Sequence, residues 1–277
     1  ADYNYYFHPS AFLYVLAQDQ EWQVALLVDE AHNLLERARG MYSATLSEGS
    51  FARARGLVPP AAVRALQLLR VQWDRAEASS GPDALLDQLP DELSNAIRDA
   101  AGCLAEHFNA HPQLAKGPLQ DLFFEILQCA RLAESFDTHS VLDFSPGPDG
   151  ARQIALRNLI PATFLRPRFV AARSAVCFSG TLSPFEFYRD TLGLPPDTAM
   201  VDIASPFSAQ QLQVKLARNL STRLPDRPQT LARLVRLIST QFEQRPGNYL
   251  AFFSSFEYME MAADELGRRR PDIAVWR

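Results

Sequence analysis

Three short apolar runs are spaced along the chain and predict buried β-strands. They lie at residues 24–28, 175–178 and 249–253, and each is followed at once by small or polar residues. Short runs that end in polar loops are typical of a parallel sheet covered on both faces. We therefore predict an α/β fold with a ligand-binding crevice at the carboxyl ends of its strands.

Between the first two runs, apolar residues recur every three or four positions, which predicts amphipathic helices. The three stripes are Ala62, Leu66, Leu69, Trp73 and Ala76; Leu93, Ile97, Ala100 and Leu104; and Leu119, Phe123, Ile126, Ala130 and Ala133. Proline and glycine residues separate them. We predict that an all-α insertion over residues 43–140 interrupts the α/β domain, and that a linker at residues 223–228 precedes a further unit.

The net charge of −5 is unevenly distributed along the chain. Residues 79–137 hold ten acidic and three basic side chains, whereas residues 205–277 hold eleven basic and seven acidic ones. The basic segment suits phosphate groups, and the acidic segment suits a basic protein partner. Two ordinary solvated surfaces explain the same distribution, so the charge by itself leaves both interpretations open.

The cysteines and the hydropathy indicate where the protein resides. Cys103, Cys129 and Cys177 are far apart and include no C-x-x-C pair. This pattern supports neither a disulfide framework nor a zinc site, and it favours buried, inert thiols in a reducing compartment. No apolar run approaches the ~18 residues that span a bilayer. We therefore expect a cytoplasmic protein with no membrane partner.

Two adjacent carboxylates, Asp29 and Glu30, follow the first predicted strand. Phosphoryl transfer requires one carboxylate to hold Mg²⁺, directly or through water, and a second group to orient the attacking water. Asp29 suits the first role and Glu30 the second, and His32 is placed to sense the γ-phosphate. The alternative is that these acidic residues only stabilise the first turn of a helix.

Three segments resemble motifs of superfamily 2 helicases, in the form used by the XPD/DinG-like branch. The segment ALLVDEAHNL at residues 25–34 resembles the DEAH box of motif II. The segment SGTLSP at residues 179–184 resembles motif III, and GNYLAFFSSF at residues 247–256 resembles motif IV. The three segments occur in the order of the family's motifs, each at a predicted strand.

The resemblance implies a division of the chain into four parts. Residues 1–42 would belong to a first RecA-like domain with the DEAH box, and residues 43–140 to a helical arch-like insertion. Residues 141–204 would complete the first RecA-like domain and carry motif III. Residues 205–277 would begin a second RecA-like domain and carry motif IV.

The resemblance also implies a function, which is that of an ATP-dependent DNA helicase. Such a helicase would move 5′-to-3′ on single-stranded DNA in DNA repair or replication, together with other repair or replication proteins. ATP and Mg²⁺ are the implied cofactors. A 4Fe–4S cluster is expected in a longer protein, with its four cysteine ligands upstream of Ala1.

Two parts of such a motor are missing from the 277 residues. They contain no G-x-x-x-x-G-K-[ST] loop of the kind that holds ATP phosphates. By the resemblance, motifs V and VI would follow Arg277. This fragment alone is therefore expected to be inactive.

The candidate site residues fall into a catalytic, a coupling and a nucleic-acid-binding group. These groups are Asp29, Glu30 and His32; Ser179, Gly180 and Thr181; and Ser254, Ser255, Arg166 and Arg168. Asp29 is also the candidate magnesium ligand. The two serines are proposed because hydroxyl groups at a strand end can donate to backbone phosphates. For the two arginines, phosphate contact and simple solvation are both open.

Two alternatives belong to other classes of function. The first is a non-catalytic helicase-like scaffold that docks protein partners through its acidic helical domain. The second is a nuclease or another metal-dependent hydrolase that uses Asp29 and Glu30, which would require further ligands on neighbouring strand ends. His107 and His111 have the spacing of zinc ligands but lack the H-E-x-x-H pattern, so a surface pair is predicted.

The chain opens with an aromatic cluster, Tyr3, Tyr5, Tyr6 and Phe7. Aromatic side chains can stack on nucleobases. We favour packing in the core, because the alternation also suits a buried segment and its turn.

Overall fold

A computed structural model of the chain describes residues 2–81, 83–147, 150–211 and 213–276. The chain divides into two compact units, Ala1–Val201 and Asp202–Arg277. The first unit has nine described helices: α1 (Asn4–Phe7), α2 (Leu13–Asp19), α3 (His32–Met41), α4 (Glu48–Ala54), α5 (Pro60–Ser80), α6 (Asp91–Ala110), α7 (Pro118–Ala133), α8 (Ala162–Ala171) and α9 (Phe185–Leu192). Its described strands are β1 (Ala25–Asp29), β2 (Ala44–Ser47), β3 (Leu85–Leu86), β4 (Ser140–Asp143), β5 (Gln153–Asn158) and β6 (Ser174–Phe178).

The first two predicted strands form, and they pair with each other. Strands β1 and β6 are parallel neighbours, in a register that pairs Ala25 with Ser174 and Asp29 with Phe178. Helices follow both strands, so the prediction of an α/β fold with a parallel sheet is confirmed. In the described part of the chain this sheet has two strands.

The prediction that both faces of the parallel sheet are covered is wrong. Along β1, Leu26 and Val28 are buried, whereas Leu27 between them is 70% exposed. Successive side chains of a strand point to opposite faces, so this alternation means that one face packs against the core and the other is open. An unbroken apolar run does not reveal this, because both faces carry apolar side chains.

The insertion contains the three predicted helices as α5, α6 and α7. Most residues of the three predicted apolar stripes are buried, including Trp73, Leu104 and Ile126. Helix α6 packs against both α5 and α7, and α7 also packs against β2 and α4. The helical periodicity therefore identified the faces that form this part of the core.

The insertion differs from the all-α prediction because it contributes to a second sheet. This sheet is antiparallel, with strand order β2-β5-β4-β3. Strands β2 and β3 lie within residues 43–140, and β4 begins at the last of these residues. Strand β2 is a four-residue segment whose partner β5 lies more than a hundred residues further on. Periodicity within a short window does not detect such a long-range pairing.

The second unit contains two described helices, α10 (Arg227–Gln244) and α11 (Phe256–Arg269), which pack against each other. The third predicted strand, at residues 249–253, does not form. Leu250 and Phe252 are 87% and 91% exposed. A buried strand needs a neighbouring strand to pair its backbone groups, and no strand occurs among the described residues of this unit.

None of the helices in the described part of the chain combines the length and the apolarity that a membrane span requires.

Candidate active site

Pairing of the two parallel strands brings residues 29–32 and 179–181 to the same edge of the sheet. The carboxyl ends of adjacent parallel strands meet at one edge, where loops form a crevice. Asp29 and Phe178 are paired at the ends of β1 and β6. Just beyond this pair, the backbone N–H of Ala31 donates to the carbonyl oxygen of Phe178 at 3.1 Å. Two segments about 150 residues apart in sequence therefore form one site.

The backbone turns sharply at Glu30, between the end of β1 and the start of α3. Glu30 has φ 48°, in the left-handed region that side chains other than glycine rarely adopt. The carboxylate of Asp29 supports this turn, because its Oδ1 accepts the N–H of Glu30 at 2.8 Å. Unfavourable backbone conformations of this kind are concentrated at functional sites.

A hydrogen-bond network joins the two segments. Nδ1 of His32 lies 2.7 Å from Oγ of Ser179, and Oγ of Ser179 lies 3.3 Å from Oε2 of Glu30. Nδ1 of His32 is also 3.3 Å from Oε2 of Glu30. Ser179 has a single hydroxyl hydrogen. The network is satisfied when His32 carries a proton on Nδ1 and donates to Ser179, which in turn donates to Glu30.

Thr181 extends the network along the second segment. Its backbone N–H donates to Oγ of Ser179 at 3.1 Å, and its own Oγ1 lies 3.4 Å from the same oxygen. At Gly180, an added Cβ would meet nothing within 4 Å, so close packing does not require glycine there. Of the three candidate coupling residues, Ser179 and Thr181 therefore make the contacts.

The carboxylates of the site are accessible to a ligand. Asp29 and Glu30 are exposed, whereas His32 is half-buried. One carboxylate oxygen of Asp29 accepts the Glu30 N–H, and the second has no hydrogen bond among those described. Mg²⁺ in nucleotide sites is commonly held by one or two carboxylates, water and phosphate oxygens. The donor set therefore fits a magnesium ion that arrives with a nucleotide.

In the described residues, no group of three or more His, Cys, Asp or Glu side chains is placed to hold a metal ion. His107 and His111, which have the spacing of zinc ligands, lie at the end of α6 with their ring centroids 5.2 Å apart. The two histidines are therefore neighbouring rings and do not form a metal site with other described residues.

The two candidate arginines of α8 lie in different environments. The guanidinium of Arg168 donates to the carbonyl oxygens of Tyr6 and Phe164, at 3.2 and 3.3 Å, and lies 4.6 Å from the ring centroid of Tyr14. Its position is that of a packing residue, so we do not include Arg168 among the candidate nucleic-acid contacts. Arg166 is exposed and lines a cavity of about 570 Å³ together with His139.

The opening aromatic cluster packs mainly inward, as the sequence favours. Tyr6 and Phe7 are buried, while Tyr5 is exposed. The hydroxyl of Tyr42, which directly follows α3, donates to the carbonyl oxygen of Phe7 at 2.6 Å. Burial raises the pKa of Tyr42 to about 12, which keeps this donor protonated.

The prediction of buried, inert cysteines holds for Cys129, which is buried, whereas Cys103 and Cys177 are half-buried. Burial raises the pKa of the Cys129 thiol to about 12 and that of Cys177 to about 11. Thiolates are the reactive form, so these two residues are poor nucleophiles at neutral pH. All three cysteines are free.

In the second unit, Ser254 and Ser255 lie beside a residue that the sequence did not single out as a site residue. The guanidinium of Arg227 donates to Oγ of Ser255 at 3.0 Å and to Oγ of Ser254 at 3.1 Å. Ser255 is also the N-cap of α11, where its hydroxyl oxygen accepts the N–H of Tyr258. Arg227 lies in the predicted linker at residues 223–228, and a linker position gives no indication of a partner 27 residues away.

Comparisons with known proteins add a structural likeness only. No protein-family model and no curated protein matches the sequence. Among solved structures, the chain is similar to one described as the structure of S. tokodaii Xpd4, with 16% identity and a TM-score of 0.41. The similarity covers 87% of this chain and 49% of that chain, so this chain spans about half of its length. No functional residue is assigned from a likeness of this degree.

Proposed function

We propose that this chain is part of an ATP-driven DNA helicase, and that residues 29–32 and 179–181 form its hydrolysis and coupling site. The observation that carries the proposal is the 2.7 Å hydrogen bond between His32 and Ser179, which joins the two motif-like segments at the edge of the parallel sheet. A DEAH-like segment alone can also be explained without function, as acidic residues that stabilise the first turn of a helix. A hydrogen bond to a second motif-like segment does not follow from that explanation.

The proposed roles divide between the two carboxylates. The free oxygen of Asp29 would hold Mg²⁺, directly or through water, and the metal with ATP would supply neutralisation of the phosphate charge. Glu30 would orient the attacking water with its exposed carboxylate. The interactions of Glu30 with Ser179 and His32 keep this carboxylate next to the second segment.

The proposed coupling runs from Glu30 through His32 and Ser179 to the loop at residues 179–184. If the contacts of the Glu30 carboxylate change on hydrolysis, the single hydrogen bond that Ser179 can donate would change its acceptor. Helix α9 begins directly after this loop and packs against α3 and α8. A displacement of the loop would therefore reach the body of the first unit.

Single-stranded DNA is the proposed nucleic-acid partner. Arg166, Ser254 and Ser255 are the candidate contacts, since each is exposed or part-exposed and presents donors to phosphate oxygens. The proposal has further parts. The helicase would move 5′-to-3′ and act in DNA repair or replication in the cytoplasm, together with other repair or replication proteins. A longer protein would also contain a 4Fe–4S cluster. These further parts rest on the resemblance of the three segments.

A second candidate function is that of a helicase-like scaffold that docks a basic protein. A surface groove of about 600 Å³ in the first unit favours it, because Asp87, Asp91 and Asp137 line this groove beside Phe136. Carboxylates around an apolar side chain suit lysine and arginine side chains of a partner. The scaffold function requires no hydrolysis at Glu30, which separates the two candidates.

The experiment that tests the proposed function is Glu30→Gln in a longer protein that carries this chain together with a phosphate-binding loop. We expect ATP hydrolysis to fall by ~100-fold or more, because orientation and deprotonation of water act in the transition state. ATP binding should be nearly unchanged. The readouts are phosphate release and nucleotide affinity.

The matched control is Glu36→Gln. Glu36 is an exposed carboxylate of α3 that pairs with Arg39 and makes no described contact with the site. This variant should hydrolyse ATP at the wild-type rate. Hydrolysis by Glu30→Gln at close to the wild-type rate would contradict the catalytic role and favour the scaffold.

A further inference from the structure

Arg227 makes contacts in the second unit that hold its guanidinium in one orientation. We define the Arg227 cluster as Arg227, Ser254 and Ser255. One terminal nitrogen of the guanidinium donates to Ser255 and the other to Ser254, at 3.0 and 3.1 Å. The third nitrogen, Nε, donates to the carbonyl oxygen of Thr222 at 3.1 Å. All three nitrogens therefore have a fixed direction.

The guanidinium of Arg227 also packs against the ring of Tyr258. Its central carbon lies 4.7 Å from the ring centroid of Tyr258, a residue that is 2% exposed. A cation above an aromatic face is attracted by the electrons of the ring. Arg227 is therefore preorganised, and it loses little side-chain freedom when it binds a further group.

The hydrogen-bonding capacity of the Arg227 cluster leaves a surplus of donors. A guanidinium carries five N–H groups, and three of them are used within the protein. Each serine oxygen accepts from Arg227, so each serine keeps its own hydrogen for donation. The oxygen of Ser255 also accepts from the N–H of Tyr258 at 3.3 Å, which occupies its second lone pair.

Two arginines, Arg223 and Arg227, and two acidic residues, Asp226 and Glu257, lie in or next to the cluster in sequence, so an anion is favoured there by the directed donors and not by an excess of positive charge. Arg223 is exposed one turn before Arg227. Asp226 accepts from the hydroxyl of Ser221 at 2.5 Å, which directs its carboxylate towards Ser221. Glu257 is exposed in the first turn of α11 and faces solvent. Two free N–H groups and two free hydroxyl hydrogens around one positive charge match the oxygens of a phosphate group.

We propose that Arg227 binds a phosphate group of single-stranded DNA together with Ser254 and Ser255, and that it positions both hydroxyls for this contact. The DNA as the source of the phosphate rests on the proposed function. The phosphate site itself rests on the geometry of the cluster. Arg227 thus adds the charge that two neutral serines lack.

The experiment measures binding of an oligothymidylate to the full chain by fluorescence anisotropy at several salt concentrations. Arg227→Gln should weaken binding by about ten-fold, since hydrogen bonds from a charged donor are strong. It should also reduce the dependence of log affinity on log salt by about 0.7, the change expected for one phosphate contact on a single strand. Arg236→Gln, an exposed arginine of the same helix, is the matched control and should change neither quantity by a comparable amount.

Two further variants separate charge from geometry and keep the test valid if Arg227→Gln fails to fold. Arg227→Lys should keep the salt dependence but lose affinity, because an ammonium group cannot hold both hydroxyls. Ser254→Ala should weaken binding by about five-fold with unchanged salt dependence, since it removes a neutral donor. Ser254 is not a helix cap, so its loss leaves α11 intact. Equal effects of Arg227→Gln and Arg236→Gln, or a Ser254→Ala variant that binds like the wild type, would overturn the site.

Titration of inorganic phosphate into the DNA-free chain, followed by nuclear magnetic resonance of Ser254 and Ser255, tests the two sources of phosphate. Phosphate shifts that disappear in Arg227→Gln support the site, and shifts that persist in that variant contradict it. If phosphate binds at the cluster but the chain binds no oligothymidylate, the site stands and DNA as its source is wrong. None of these results depends on hydrolysis at Glu30, so the site and the proposed function can fail separately.

Discussion

At the scale of single residues, Glu30 combines an unfavourable backbone conformation with a carboxylate at the centre of the site. A positive φ for a residue other than glycine costs of order 1 kcal/mol or more. This cost is tolerated because the N–H of Glu30 has a partner in Asp29 and the N–H of Ala31 has one in Phe178. The turn places the Glu30 carboxylate within reach of His32 and Ser179.

A pair of substitutions isolates the backbone cost at Glu30. Glu30→Ala and Glu30→Gly both remove the carboxylate, but only glycine adopts φ 48° without a steric penalty. We expect Glu30→Gly to be more stable than Glu30→Ala by roughly 0.5–1 kcal/mol, although glycine normally destabilises relative to alanine. Urea unfolding of both variants gives the difference. A Glu30→Ala variant as stable as Glu30→Gly would show that the backbone there relaxes out of the left-handed region.

At the scale of elements, the junction between α8 and α9 determines how the second motif-like segment is anchored. Helix α9 is followed by Gly193, its C-cap, which has φ 68°. A Cβ at this position would lie 2.5 Å from the carbonyl oxygen of Ala162, the first residue of α8. The end of α9 therefore approaches the start of α8 more closely than any other residue type permits.

Gly193→Ala should therefore destabilise the first unit by about 2 kcal/mol or more, from the left-handed conformation and the backbone clash together. The matched control is Gly102→Ala in the exposed middle of α6, where an added Cβ meets nothing within 4 Å. That variant should stabilise by roughly 0.5–1 kcal/mol, because alanine is the better helix former. Urea unfolding of the full chain compares them. Equal effects of the two substitutions would contradict the close approach.

The antiparallel sheet shows which residues belong to the same folding element as the predicted insertion. Strand β5 pairs with both β2 and β4. Arg152, just before β5, bonds to Asp74 at 2.7 Å and Glu77 at 2.5 Å, and lies 4.7 Å from the ring centroid of Trp73 on α5. The element that includes the predicted helical insertion therefore continues past residue 140.

A fragment of residues 43–158 should unfold cooperatively, whereas residues 43–140 should not. The longer fragment keeps β5 and Arg152 and closes the antiparallel sheet, while the shorter one leaves β2 without its partner and exposes its edge. Circular dichroism during thermal unfolding distinguishes the two. A sharp transition for residues 43–140 would mean that α5, α6 and α7 are sufficient by themselves.

At the scale of the whole molecule, the proposed site has the carboxylates of a hydrolysis centre but lacks a loop to hold phosphates. The 277 residues contain two lysines, Lys116 and Lys215, and neither lies in a G-x-x-x-x-G-K-[ST] segment. Binding energy for the phosphates would have to come from residues outside this chain.

We expect the isolated chain to show no ATP turnover in the presence of Mg²⁺ and single-stranded DNA. Without backbone amides and a lysine around the phosphates, ATP is neither held nor positioned for attack. Phosphate release is the measurement, with the Glu30→Gln variant as the control for contaminating activity. Turnover that this substitution abolishes would show that an external phosphate-binding loop is not required.

The sequence by itself determined the elements whose signal is local. Helical periodicity identified α5, α6 and α7 and their buried faces, because apolar residues three or four apart face the same side whatever surrounds them. The apolar runs identified β1 and β6, and the polar residues after them marked Asp29, Glu30 and Ser179. Each of these features is contained in at most 21 consecutive residues, the length of α5.

Only the tertiary structure decided which strands pair and which side chains are in contact. It brought His32 to Ser179, joined β2 to β5, left residues 249–253 unpaired, and turned Arg168 inward while Arg166 stayed exposed. Arg227 met Ser254 and Ser255 in the same way. Strand pairing and side-chain partners depend on residues far apart in sequence, whose approach is determined by the packing of the whole unit. A local pattern indicates that a residue is apolar, charged or helical, but its partner is set by the fold.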